Sequence, residues 1–104
     1  MANTVVSRVP RLTAVHVVAL LLAGQKTPGR AVLVVHGDGR VALSTAQAFL
    51  LGGSGRMMLT DTELAEVGVR LASTGARLAP GSGAVVGALL EQANTYLRQV
   101  WGVT

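Results

Sequence analysis

Apolar residues along this chain follow two rhythms, short unbroken runs and spacings of three and four, with glycine-rich or polar breaks between them. Ala31 to Val35 is an unbroken valine-rich run with glycines close on both sides, the pattern of a strand covered on both faces. Arg40, Val41, Ala42 and Leu43 follow as a second strand. Gly37-Asp38-Gly39 between them supplies the positive-φ residues that a tight turn requires, which predicts a β-hairpin over about 31–43. Two strands alone are marginal in water, so a third is expected. It would come from Val5, Val6 and Val9, a β-branched stretch stopped by Pro10, from Met57 to Leu59, or from another subunit.

The helical rhythm predicts four further elements. Thr13 is placed to cap a helix running to about Ala23, with Gly24 as its left-handed terminator and Lys26 to Gly29 as the following loop. Leu20, Leu21 and Leu22, with Val15, Val17 and Val18, leave that helix almost no polar face, which predicts burial on every side. Ser44 with Gln47 fits a capping box opening a short helix through Phe49 to Leu51, stopped by Gly52 and Gly53. Thr60 with Glu63 repeats the signal and predicts a longer helix from Asp61 to about Thr74. Leu64, Val67 and Leu71 would form its inner stripe, Glu66 and Arg70 an i,i+4 pair, and Gly75 its end. Ser82 caps a last helix to about Trp101, with Val86, Leu90, Ala93, Leu97 and Val100 repeating at four and three. The expected order is β-α-β-β-α-β-α-α, whose first six elements match a split β-α-β unit. The fold class predicted is α+β, a small sheet built around the hairpin and packed against three to four helices. The alternative is a mainly helical domain with one hairpin.

Composition adds a partner to this picture. At 104 residues the chain has the length of one domain spanning 1–104. Hydrophobic residues make up 50% and charged residues only 13%, with a mean hydropathy of +0.50, where a soluble domain carries roughly a quarter charged residues. That leaves too little polar surface to clothe a lone globule, so another chain is expected to cover part of it. A membrane is not the expected cover. The longest apolar run, Ala14 to Ala23, contains His16 and spans about 15 Å as a helix, whereas a crossing needs about 20 apolar residues. The run also lies too far from the N-terminus for a signal peptide, so a cytoplasmic location is expected. With no cysteine, disulfides, thiolate catalysis and cysteine-based zinc sites are ruled out.

Catalytic constellations are not evident. Glu63 and Glu66 sit where a helix N-terminus favours negative charge, Asp38 belongs to a turn, and Glu91 falls on the polar side of the last helix. His16 and His36 are two potential ligands that lack a third. Ser44, Ser54 and Ser82 lack a strand-to-helix nucleophile motif. The stretches Gly52 to Arg56 and Pro80 to Gly83 match neither a phosphate loop nor a dinucleotide fingerprint. If either bound an anion, Arg56 or Arg77 would be its partner. No catalytic residue, metal or cofactor is therefore predicted, and the protein is not expected to be an enzyme.

The net charge of +4 opens one further possibility. Arg8, Arg11, Arg30, Arg40 and Arg56 fall at element ends or in loops, where guanidinium groups can meet phosphates. One Phe, one Tyr and one Trp leave little for base stacking. The segment 59–69 is similar to the first helix and turn of a helix-turn-helix, but no helix with exposed groove-reading side chains follows. The reading that emerges is a non-enzymatic protein–protein interaction or assembly module, a homo-oligomer acting as adaptor or inhibitor on another protein. Its expected contacts are Leu90, Leu97, Val100 and Trp101 of the last helix and one sheet edge. A small basic dimeric DNA-binding regulator using the five arginines is the alternative.

Overall fold

A computed structural model describes residues 9–52, 55–73 and 77–101. The elements are α1 (Ala14–Lys26), β1 (Ala31–Val35), β2 (Val41–Thr45), α2 (Ala46–Gly52), β3 (Arg56–Thr60), α3 (Asp61–Glu66) and α4 (Ser82–Trp101). This is an α+β fold with a hairpin at its centre, not a helical domain with an appended hairpin. The strand expected at Val5 lies outside the described residues; the one expected at Met57 to Leu59 is β3.

The sheet order is β2-β1-β3, and β1 is antiparallel to both neighbours. Ala31 pairs with Thr45, Leu33 with Leu43 and Val35 with Val41. Every residue of β1 is buried, as its unbroken apolar run predicts. Gly39, at φ +89°, lets the turn close, with the His36 N–H donating to the Arg40 carbonyl at 2.8 Å and the Arg40 N–H to Asp38 Oδ1 at 3.0 Å. Because β2 and β3 are both antiparallel to β1, they run parallel to each other. The connection through α2 must therefore cross over β1, which makes the split β-α-β unit.

Successive strand residues point to opposite faces, and the two faces of this sheet differ. Ala31, Leu33 and Val35 join one core cluster with Val17 and Leu20 of α1, Leu64 of α3, and Val86 and Leu97 of α4. Val32 and Val34 point the other way; they are buried but belong to no such cluster. No residue of α2 belongs to or packs on the core cluster, which places α2 over that second face, leaning on β2.

Several boundaries differ from the sequence expectation, each for a local reason. α1 continues through Gly24 to Lys26. Gly24 is no terminator but a point of close approach: a Cβ there would lie 2.8 Å from Asp61 Oδ2 and 2.9 Å from Asp61 Cβ. The same Asp61 Oδ2 accepts the Gly29 N–H at 2.8 Å, so small size, not left-handed conformation, explains this glycine. α1 is also not buried all round; Val17 and Leu20 are covered while Val15 is 75% exposed, because only one flank meets the core. The cap of α2 is Thr45, whose Oγ1 accepts the Ala48 N–H at 3.1 Å, one residue beyond the expected Ser44, since β2 runs to Thr45.

The largest departure concerns α3, which stops at Glu66 and not near Thr74. Its capping box is present, with Glu63 N–H donating to Thr60 Oγ1 at 3.0 Å and Thr60 N–H to Glu63 Oε1 at 3.0 Å. Gly68 at φ +82° then turns the chain. The Val69 N–H reaches the Leu64 carbonyl at 2.9 Å and the Gly68 N–H the Ala65 carbonyl at 3.1 Å, the paired bonds of a Schellman stop. Residues 70–73 and 77–79 lie antiparallel instead as the two sides of an arm, bridged at Leu71 and Leu78, so the expected helical pair of Glu66 and Arg70 does not form. Gly75 lies outside the described residues. Ser82 opens α4, but its buried hydroxyl accepts the Arg70 N–H at 3.0 Å and so anchors the arm.

Candidate functional site

Among the described residues, much of the apolar surface left outside the core lies on four elements. On α2, Leu50 is 81% and Leu51 79% exposed, and the helix has no buried residue at all. Short length explains this: a seven-residue helix presents two turns, and the sequence Ala-Gln-Ala-Phe-Leu-Leu-Gly offers a half-buried Phe49 inward and the leucine pair outward. Met57 of β3, paired with Val34 on the same face of the sheet, is exposed as well. On α1, Ala14, Val15, Val18, Ala19 and Leu22 form an outer stripe at helical spacing. Together with Arg77 and Leu78 of the hairpin arm they line an apolar groove of about 490 Å³. On β2, Leu43 is exposed at the rim of the core.

The residues expected at an intermolecular contact are divided by the fold. Leu97 is withdrawn into the chain's own core with no exposed surface, because the four-three stripe of α4 packs inward. Leu90 is partly buried against the same cluster. Val100 is exposed near the end of α4, and Trp101 is the last residue of that helix. Among the side chains whose exposure is described, the most exposed leucines therefore lie on α2 and not on α4.

The arginines do not gather. Arg8 lies outside the described residues. Arg40 and Arg56 both sit at the end of the sheet where β1 finishes, Arg56 opposite Val35 and the Arg40 carbonyl bonded to His36. Arg30 precedes β1 at the other end, its carbonyl accepting from Ala46; five residues of strand separate the two ends, about 16 Å. Arg56 donates to the Tyr96 hydroxyl of α4, its guanidinium carbon 5.6 Å from that ring's centroid. Arg11 lies elsewhere again, in clefts shared with Asn94 and Arg98. Arg77, the other arginine weighed as an anion partner, lines the apolar groove.

Both histidines are engaged in structure. His16 Nδ1 accepts the Thr13 N–H at 2.9 Å, closing the start of α1, and His36 lies in the hairpin turn. Among the described residues no group of three His, Asp or Glu side chains is placed to hold a metal ion, and no helix is long and apolar enough to cross a membrane. Sequence reasoning missed one clamp. Asn94 Oδ1 accepts the Leu12 N–H at 2.7 Å and its Nδ2 donates to the Leu12 carbonyl at 2.9 Å, tying the segment before α1 to α4 across 82 positions. No local pattern announces such a pair, since one member is a main-chain peptide unit.

No protein-family model matches the chain. Searches of curated proteins and of solved structures likewise find no match.

Proposed function

We propose that this protein is a non-enzymatic interaction module that assembles with itself and presents an apolar surface to another protein, as an adaptor or inhibitor would. The observation that carries the reading is the pair Leu50 and Leu51, about four-fifths exposed on a helix with nothing buried. Contiguous exposed apolar surface on a small domain marks an interaction site. With Met57 on the same side of the sheet, the pair leaves the second face covered by one thin layer where a domain ordinarily places a full one. Low overall charge acts in the same direction, because the core of an interface is depleted in charged residues.

Sedimentation velocity over a wide concentration range tests the reading. The expected result is a mass above the 10.6 kDa of one chain that rises with concentration. A constant monomer mass throughout would overturn self-assembly. The DNA-binding alternative has less support, because Arg40 and Arg56 lie at one end of the sheet, Arg30 at the other and Arg11 beside α4. A shift of duplex DNA at low salt that falls steeply as salt rises would favour it.

A further inference from the structure

We infer that the free edge of β2 is the self-association surface, where a second copy adds its own β2 antiparallel with Leu43 facing Leu43. The inference rests on the self-assembly proposed above and gives it a location and a symmetry.

The ladder itself shows which main-chain groups are free. The His36 N–H bonds the Arg40 carbonyl and the Ala46 N–H bonds the Arg30 carbonyl, both in line with the register of β1 and β2. In an antiparallel pair, hydrogen-bonded positions alternate, so Ala42 and Ser44 turn their main-chain groups toward β1. Val41, Leu43 and Thr45 turn theirs outward, and no other described strand lies on that side. The Thr45 carbonyl opens the bonding of α2 as its cap residue and otherwise accepts only a long bond of 3.4 Å from the Ser44 hydroxyl, which the N–H of a second chain can displace.

Side chains are deficient at the same place. Leu43 pairs with Leu33 and so lies on the core face, yet it is 43% exposed, because the core layer ends at this strand. Natural sheets blunt their edges with charge, proline or bulges. β3 has such devices: its register shifts opposite Leu33 and Val34, and Arg56 stands in the strand. β2 reads Val-Ala-Leu-Ser-Thr, with no charge, no proline and no bulge.

Register selects a second copy of this chain as occupant. With Leu43 on the two-fold axis, Val41 faces Thr45 of the second copy, and each facing pair exchanges both of its main-chain bonds. A slip of two residues loses one such pair. Arg40, the charged residue flanking the strand, then faces Ala46 of the second copy, so no like charges oppose one another. The two Leu43 side chains meet on the core face and join the two core layers. The resulting six-stranded sheet is bounded on both sides by the blunted β3, which closes the assembly at two chains. One five-residue strand per copy is a contact at the small end of the range, below about 1,200 Å² in total, so the dimer dissociates on dilution. Leu50 and Leu51, on the opposite face, stay available to another protein.

A charge swap on the full chain tests this. Leu43→Glu and Leu43→Lys each place like charges across the axis, and sedimentation velocity is expected to show an association constant at least tenfold weaker for each variant alone. Equimolar mixing is expected to restore the dimer. Wild-type-like dimerisation of both single variants, or a mixture that stays monomeric while circular dichroism shows both folded, would overturn the edge pairing and leave self-assembly standing. Wild-type chain that never dimerises would overturn both. Should either charge variant fail to fold, Leu43→Cys decides, since the chain has no cysteine. Facing residues about 5.5 Å apart lie within disulfide reach, so rapid oxidation to a linked dimer is expected, faster than for Ala42→Cys. Absence of that preference would overturn the register.

Discussion

The two faces of the same central strand live in different surroundings. On one, Ala31, Leu33 and Val35 meet three helices and share a cluster with Leu20, Leu64 and Leu97. On the other, Val32 and Val34 are covered by strand neighbours and by α2, a helix whose own residues are nowhere buried. Among the described residues the longer helices therefore complete one layer and not two. Burial is concentrated on the closed side, while Leu50, Leu51 and Met57 on the open side and Leu43 at the β2 edge remain exposed.

That contrast can be broken most directly by truncating a leucine on each side. Leu20→Ala, in the closed layer, is expected to cost about 2–5 kcal/mol of unfolding free energy in a denaturant titration. If it costs no more than Leu50→Ala, the two faces are energetically alike and the comparison fails.

Glycines with positive φ sharpen the same point. Gly55, where the crossover returns to β3, has φ +99°, and an added Cβ would stand 2.6 Å from the Val35 carbonyl oxygen. Gly55→Ala is expected to cost roughly 2–5 kcal/mol, combining left-handed strain with overpacking against backbone. Gly68 has φ +82° but open space around it, so Gly68→Ala is expected to cost only about 1–2 kcal/mol, the strain alone. Equal losses in thermal or chemical unfolding would show that contact with β1 contributes nothing at Gly55.

Asn94→Ala removes the clamp that holds Leu12 against α4. It leaves a part-buried main-chain N–H and C=O without partners, for an expected loss of about 1–3 kcal/mol. Faster hydrogen exchange at Leu12 would be the local sign, and an unchanged rate would deny the clamp its role. The smallest expected effect is on the open side. Leu50→Ser with Leu51→Ser should alter stability by no more than about 0.5 kcal/mol each and leave the proposed β2 pairing unaffected, as read by sedimentation. A large loss would mean that α2 is packed more firmly than its exposure indicates.

Much of this was legible in the chain. Ala31 to Val35 carries the pattern of a strand covered on both faces, Gly37 to Gly39 that of the turn after it, and Thr60 with Glu63 that of a helix start, and all three are present. Misreadings came where a local pattern had two solutions. Leu64, Val67 and Leu71 keep helical spacing, yet Gly68 offers a Schellman stop, and Arg70 and Ala79 are both bonded to Ser82 in a way that no periodicity records. Gly24 carried the opposite ambiguity, since a glycine marks either a left-handed turn or a close approach, and only Asp61 packed against α1 decides between them.

Hydrophobic pattern, capping residues and turn glycines thus determined by themselves the fold class, the hairpin and most element starts, because these depend on bonds among residues close in the chain. Tertiary structure alone decided which apolar residues are spent inside and which are left over. Leu97 and Leu50 look alike as sequence; one lies under a sheet face with helices to cover it, and the other rides on a helix too short to be covered. Burial depends on which elements meet, and that is set by packing across the whole chain.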